Sequence, residues 1–427
     1  MRKNLLVLSS VYPYVQKNTE AANVVAHEIV RWLANSGHFE VAYSCVAFEK
    51  RVPPPQARKD LDALIGMGVS FLDPIVLEQP VGSSWFTKLM QIIQGNSGSL
   101  IRGAGQHKAV LRMLGDYKPD AILTIWSEVA TAATAQMPVP KIAYYGNPDH
   151  KVLDARLRFE WEARKYSRSV SLFCFPMVRP VVVSAVRRAH LNVMATQAAI
   201  GDVAKNDADY YQSCGLLQAF YIRNIWPTSI PEDYDALRSQ PEQTSPFKII
   251  GSVGNLGATG NIHGIRTIAV EILPRLRKML GEGAFEIHIF GGGAPHPSLN
   301  DLLTDQHIRL RGFVNDLDAE MRDAPVFLVA NNSSRFVVGH TRFLHAWSMG
   351  CCVVGFAASA EAMPELRHRK NALLGKTPDE VTAHIVECYK DSGLRREIGI
   401  GGLKTLASDF NPEAVTKQLI DRIRVAI

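Results

Sequence analysis

The sequence predicts an α/β protein made of two doubly wound, Rossmann-like halves. Three observations predict it. Short apolar runs alternate with longer amphipathic segments along most of the chain. The alternation pauses once, at the polar stretch Ser239-Gln240-Pro241-Glu242-Gln243-Thr244-Ser245-Pro246, and then restarts. A length of 427 residues lets each half bury a core of its own.

Taken in order, Leu5–Leu8 is the first buried strand. The run behind Met1-Arg2-Lys3-Asn4 is too short for a secretory leader and lacks a small-residue cleavage site. Residues 21–36 have helical spacing and stop at Gly37. The runs 41–43, 121–125, 141–145 and 193–195 are apolar in the way that parallel sheets require, and 106–115 is a further helix. The longest apolar stretch, 169–186, is broken by Pro176, Arg179 and Pro180, which rules out a simple membrane span.

The second half opens with a strand at 248–252 and a helix at 262–280. A strand at 286–290 ends in Gly291-Gly292-Gly293. Further strands are expected at 308–310, 326–330 and 352–356, with a helix at 316–322. After Asn371 the chain reads as helical throughout. The expected organisation is a first domain over 1–240, a second over 247–410, and a last helix over 411–427 that crosses back to the first. Two such halves place the largest cleft between them.

Hydrophobic residues make up 47% and charged residues 21% of the chain, which excludes disorder over most of its length. A net charge of +6 is too modest for a dedicated nucleic-acid binder. It suits an anionic ligand such as a nucleotide diphosphate, or an anionic membrane face. The cysteines at 45, 174, 214, 351, 352 and 388 form no C-x-x-C pair and no Cys/His cluster with zinc spacing. Cys351 and Cys352 stand in an apolar run and read as buried thiols. Reduced thiols fit the cytoplasm. There, Asn331-Asn332-Ser333-Ser334 is a polar loop rather than a glycosylation acceptor.

Residues 154–188 interleave eight basic side chains with five aromatic ones. Such a stretch can dock peripherally on the inner face of a membrane. The plainer reading is a solvated helix followed by a packed loop.

The most informative motifs lie in the second half: Gly251-Ser252-Val253-Gly254-Asn255, Gly260-Asn261, Phe290-Gly291-Gly292-Gly293, Gly312-Phe313-Val314-Asn315-Asp316, Gly339-His340-Thr341-Arg342 and Glu365-Leu366. In that order and spacing, from about Lys248 to Arg422, they resemble the donor-binding domain of the retaining family-4-type (group 1) glycosyltransferases. The resemblance implies the GT-B fold, two Rossmann-like domains facing across a cleft. It implies transfer of a sugar from a nucleotide-sugar to an acceptor hydroxyl, with retention and without a metal, in glycan or surface-polysaccharide synthesis. The donor is a substrate and no cofactor is implied. The acceptor is a glycan, a lipid-linked sugar or a protein, and nucleic acid is not a partner.

The chemistry of these positions also stands alone. A diphosphate needs backbone N–H groups at close approach, which glycines permit. Gly254 and Asn255 can supply them, or can form a tight turn without a ligand. Gly291 and Gly292 let a base or ribose approach a strand end, or serve the turn alone. Gly339, His340, Thr341 and Arg342 open a helix whose N–H groups, hydroxyl and guanidinium suit the leaving phosphates. Surface packing is the other reading of Arg342. The backbone of Val314 would read the edge of the base, with Phe313 either beside it or in the core. In the first half, His150 is the candidate for a contact to the donor sugar; a solvent-facing loop histidine is the alternative. Asp149 is the base if transfer inverts, and Glu128 is a candidate on the acceptor side. The resemblance implies that Glu361 or Glu365 holds donor hydroxyls, and Glu365 matches the commoner family position.

The departures are specific. Val337 and His345 occupy the positions of two family glutamates, although His345 can still bond a ribose hydroxyl. No lysine or arginine lies between Gly251 and Gly264. Glu20, Ala21 and Ala22 stand near the place of a family glycine pair. The alternative function is therefore a catalytically degenerate subunit that binds or supports a partner. Asp316-Leu317-Asp318 looks like a metal-binding Asp-x-Asp but begins a helix, where acidic residues suit the macrodipole.

Overall fold

The computed structural model describes all residues except 1, 17–18, 78–106, 116, 163–174, 228–233, 238–245, 333–336 and 338–340. The chain forms two compact units, Met1–Pro227 with Pro412–Ile427, and Thr228–Asn411.

The first unit holds β1 (Lys3–Ser9), β2 (Phe39–Ala47), β3 (Ser70–Phe71), β4 (Ile75–Val76), β5 (Ala121–Ile125), β6 (Lys141–Tyr145), β7 (Ala199–Asp202) and β8 (Ala219–Tyr221). Their order is β3-β2-β1-β5-β6-β7-β8, with β4 beside β2, and every pairing is parallel. Alternate residues of β1 feed two cores. Leu5 and Val7 join Val25, Ile29 and Leu33 on one face, while Leu6 and Leu8 join Val110, Val129 and Met137 on the other. That is why the strand reads as a continuous apolar run. The helix Ala21–Asn35 stops where Gly37 takes φ 70°, a left-handed cap that glycine adopts at little cost. The helix Pro412–Ala426 belongs to this unit, with Val415, Leu419, Ile420 and Ile423 in the Leu5 core.

The second unit holds β9 (Phe247–Ser252), β10 (Phe285–Phe290), β11 (Ile308–Gly312), β12 (Val326–Val329), β13 (Cys352–Phe356) and β14 (Leu373–Gly375). Their order is β11-β10-β9-β12-β13-β14, again all parallel. The order reverses between β9 and β12. In doubly wound sheets the carboxyl ends beside such a reversal form the ligand crevice. Between β9 and β10 the chain is helical from Thr259 to Leu280, passing through a wider π turn at Ile268–Ile272. Pro274 has no N–H to give to the preceding turn, and the wider turn accommodates that loss.

Three expectations are corrected. Residues 193–195 are not a strand: Val193 and Met194 end the helix Phe175–Met194, and the strand is β7. A short apolar run does not distinguish a buried helix end from a strand. The chain after Asn371 is not wholly helical, because Leu373–Gly375 adds β14 to the sheet. Residues 175–188 are not a packed loop: they are helical, with Pro180 inside the helix.

Candidate functional site

In the second unit the chain folds back over the end of β9. Gly254 takes φ 99°, which suits a residue without a Cβ. Asn261, fully buried, holds this turn. Its Nδ2 donates to the carbonyls of Val253 (3.4 Å) and Asn255 (2.6 Å). Its Oδ1 accepts from Ser252 Oγ and from Asn331 Nδ2, each at 3.1 Å. Asn255 Oδ1 accepts from the Gly257 N–H at 2.9 Å.

A second glycine loop locks into the first. Gly291 has φ 142°, and a Cβ there would sit 1.7 Å from the Gly254 carbonyl oxygen. The Gly291 N–H donates to the Gly312 carbonyl at 2.9 Å, and the Leu256 N–H to that of Gly292 at 3.0 Å. Backbone contacts thus join the carboxyl ends of β9, β10 and β11. Loop-on-loop packing accounts for Gly291. A Cβ on Gly292 would meet nothing within 4 Å, so that side is open.

Beyond β12, the helix Thr341–Ser348 begins at the same edge. Gly339 and His340 lie outside the described residues. Arg342 is half-buried, and its Nε donates to the Val253 carbonyl at 3.2 Å. Burial lowers its pKa to about 10, so it stays cationic at neutral pH. A guanidinium fastened to a backbone loop is a charge-assisted donor for an oxyanion. Gly254, Asn255, Gly291, Gly292 and Arg342 therefore belong to one connected cluster.

The remaining candidates are placed differently. Phe313 is not core: it is 70% exposed, directly after Gly312 with φ 63°. Val314 follows it on the same strand end. His345 Nε2 lies 2.7 Å from Asp318 Oδ1 on the helix Leu317–Arg322. That hydrogen bond holds the Asp318 carboxyl below its usual pKa, against the opposing effect of burial. Asp316 caps the same helix, accepting from the Ala319 N–H at 3.0 Å. Glu365 is buried in the turn before β14, and its carbonyl accepts from Asn371 Nδ2 at 2.8 Å.

In the first unit, His150 lies on the helix Asp149–Glu162 rather than in a loop. It is buried, with its ring 5.2 Å from Tyr210 and 6.0 Å from His190. Burial, followed by the charges of Lys151 and Arg187, lowers its pKa to about 4. It is thus neutral at pH 7, with Nδ1 buried and unpartnered. Asp149 Oδ1 accepts from Tyr145 OH at 2.8 Å. Burial and then the charge of Glu128 push the Asp149 carboxyl up to about 7. Trp126 (φ 42°) and Asn147 (φ 75°) sit just beyond β5 and β6. Trp126 Nε1 and Asn147 Oδ1 are buried without partners. Positive φ and unpaired buried polar atoms thus coincide at both strand ends, a combination that in proteins generally clusters at functional sites.

Sequence reasoning named Asn261, Asn331 and Asp318 but missed what they hold in place. Asn331 and Asn332 do stand in a loop, but both are buried, and Asn331 braces Asn261. The only signal for Asn261 was its place after Gly260; nothing local marks Asp318 as the partner of His345. Among the described residues, no group of three or more His, Cys, Asp or Glu side chains is placed to hold a metal.

Residues 247–391 match the family described as glycosyl transferases group 1. No curated protein matches the sequence. Among solved structures, the chain is similar to HepE of Anabaena in complex with UDP and glucose, at 13% identity and a TM-score of 0.59, covering 99% of this chain and 100% of that one. It is similar to sucrose-phosphate synthase from Thermosynechococcus elongatus, at 13% identity and a TM-score of 0.62, covering 99% and 98%. It is also similar to a mutant of TarM from S. aureus in complex with fondaparinux, alpha-GlcNAc-glycerol and UDP, at 8% identity and a TM-score of 0.60, covering 98% and 99%. At these identities the likeness is one of fold, and the fold is GT-B.

Proposed function

We propose that this chain, which has the GT-B fold and carries a group 1 glycosyl transferase domain over residues 247–391, transfers a sugar from a nucleotide-sugar to an acceptor hydroxyl. The observation that carries this reading is the connected cluster of two interlocked glycine loops with Arg342 fastened to one of them. The diphosphate lies along the open side of Gly292 and the Gly254 turn. Arg342 and the start of the helix at Thr341 meet the charge that grows on the leaving phosphate. Catalysis is then mainly positioning and charge stabilisation, and it invokes no metal and no carboxylate nucleophile. The leaving phosphate takes the proton of the incoming hydroxyl, and the sugar is transferred with retention.

The base lies against Phe313, with its edge at the backbone of Val314. His345, steadied by Asp318, bonds the ribose. Glu365 is the candidate for a contact to the donor sugar. The acceptor is a glycan, a lipid-linked sugar or a protein, in a cytoplasmic pathway of glycan or surface-polysaccharide synthesis. A second reading, a degenerate subunit supporting a partner, is favoured by Val337 and His345 at the two glutamate positions.

A thermal-shift titration with UDP, GDP, ADP, CMP and dTDP tests the reading, since a ligand of the native state raises apparent stability. One nucleotide is expected to give a clear shift. Arg342→Ala should weaken its binding by roughly 10- to 100-fold, as expected for loss of a charged hydrogen bond. Unchanged affinity would remove Arg342 from the site. No shift with any nucleotide would favour the degenerate subunit.

A further inference from the structure

The helix Phe175–Met194 has a half that its packing does not use. Its 20 residues include Arg179, Arg187 and Arg188 and contain no aspartate or glutamate. In the amino-terminal half, Met177 is 75%, Val178 44% and Val181 50% exposed, and Pro176 and Pro180 are exposed beside them. Ala185, Val186, Ala189, Val193 and Met194 are buried, so the carboxyl half attaches the helix to the first unit. Met177 and Val181 stand one turn apart on one face, and Ser184 and Arg188 continue that stripe. Arg179 ties the helix to Asp154 of the helix Asp149–Glu162 at 2.5 Å. Trp161, near the end of that second helix, is also exposed.

The stretch from Asp154 to Arg188 is net basic, with eight arginines and lysines against three acids, Asp154, Glu160 and Glu162. Two of those acids are engaged: Asp154 by Arg158 (2.8 Å) as well as Arg179, and Glu160 by Arg156 (3.0 Å). Arg188 is exposed. Among the described residues, no helix is long and apolar enough to cross a membrane. An exposed apolar stripe that runs into arginines, on a helix without acids, matches the headgroup region of an anionic bilayer. Apolar side chains enter the acyl boundary there while arginines meet lipid phosphates.

We propose that the amino-terminal half of the helix Phe175–Met194 docks this protein on an anionic lipid surface, with Met177, Val178 and Val181 entering the interface and Arg188 meeting lipid phosphate. The proposal is independent of the donor chemistry proposed above.

Flotation of the full chain with phosphatidylcholine vesicles, with and without about one third phosphatidylglycerol, tests it. The protein is expected to float with the anionic vesicles only. The double variant Met177→Ser, Val181→Ser should bind them at least ~10-fold more weakly, with an unchanged melting temperature because both side chains are exposed. Arg188→Gln should weaken binding and reduce its sensitivity to salt. Absence of flotation with anionic vesicles, or equal flotation of the double variant, overturns the proposal. A dimer seen by light scattering in lipid-free solution and abolished in the double variant also overturns it, assigning the stripe to self-association.

Discussion

Two adjacent glycines should respond to the same substitution in opposite ways. At Gly291 an added Cβ would lie 1.7 Å from the Gly254 carbonyl oxygen and 2.7 Å from its carbonyl carbon. A relaxed carbon–oxygen contact is about 3.3 Å, so the loops must separate by more than an ångström. Both partners are backbone, and no side chain can swing away. Overpacking of this kind costs about 1–3 kcal/mol. Holding a non-glycine residue at φ 142° adds about 1–3 kcal/mol. Gly291→Ala should therefore destabilise the second unit by roughly 3–5 kcal/mol and lower its melting temperature by about 10 °C, given the usual response of a unit this size. At Gly292 the same methyl meets nothing within 4 Å. Gly292→Ala should change stability by no more than about 0.5 kcal/mol, yet weaken nucleotide binding, because it fills the open side. The assay is a thermal melt of each variant with and without the nucleotide that stabilises the wild type. A Gly291→Ala protein melting within a degree of the wild type would refute the interlocked-loop argument. Unaltered nucleotide affinity in Gly292→Ala would refute the placement of the ligand.

Two further outcomes are expected. Phe313→Ala should weaken nucleotide binding by roughly 5- to 150-fold, the range for loss of one base–aromatic stack, and leave inorganic pyrophosphate binding unchanged in calorimetry; equal losses for both ligands would sink the stacking role. His190 is fully buried, with Nε2 2.7 Å from Tyr211 OH, and burial and then His150 lower its pKa to about 3. The unfolded chain takes up a proton near pH 6.5 that the native imidazole refuses, so stability falls as pH drops from 6.5 towards 3. His190→Phe should remove about 2–3 kcal/mol of the stability lost between pH 6.5 and 4.5. His150 continues to contribute in the same direction. Asp149, whose pKa is raised to about 7, contributes the opposite slope in both proteins. Urea midpoints at the two pH values measure the difference, and parallel losses in variant and wild type would show that His190 does not titrate as described.

The fold was readable where a residue's neighbours reinforce its local signal. β1 is apolar because both of its faces are covered, and the Asp316 cap is a local bond visible in the spacing of residues. β7 was missed for the converse reason. A Cβ on Gly201 would lie 3.0 Å from Ile222 and 3.2 Å from Phe220, so packing from β8 demands a small residue where a run would otherwise be bulky. The glycine motifs of the candidate site were likewise visible, but their division of labour was not. Gly291 and Gly292 are neighbours in sequence, and only the distance to Gly254 separates them. The pairing of His345 with Asp318 joins two helices 27 positions apart, and no spacing rule reaches that far. Asn331 read only as part of a polar loop; its burial goes with the turn that Asn261 holds.

The return of Pro412–Ala426 to the first unit matters during synthesis. Leu419 and Ile423 complete a core begun by Leu5, yet about 180 residues, Thr228–Asn411, are translated in between. At ~5–20 residues per second this leaves a nascent chain with an uncovered apolar groove for about 10–40 s. The first unit is thus finished last, although most of it leaves the ribosome first. A fragment cut at Pro227 inherits the same open groove permanently. One in which a flexible linker joins Pro227 directly to Pro412 has the complete unit in a single uninterrupted stretch.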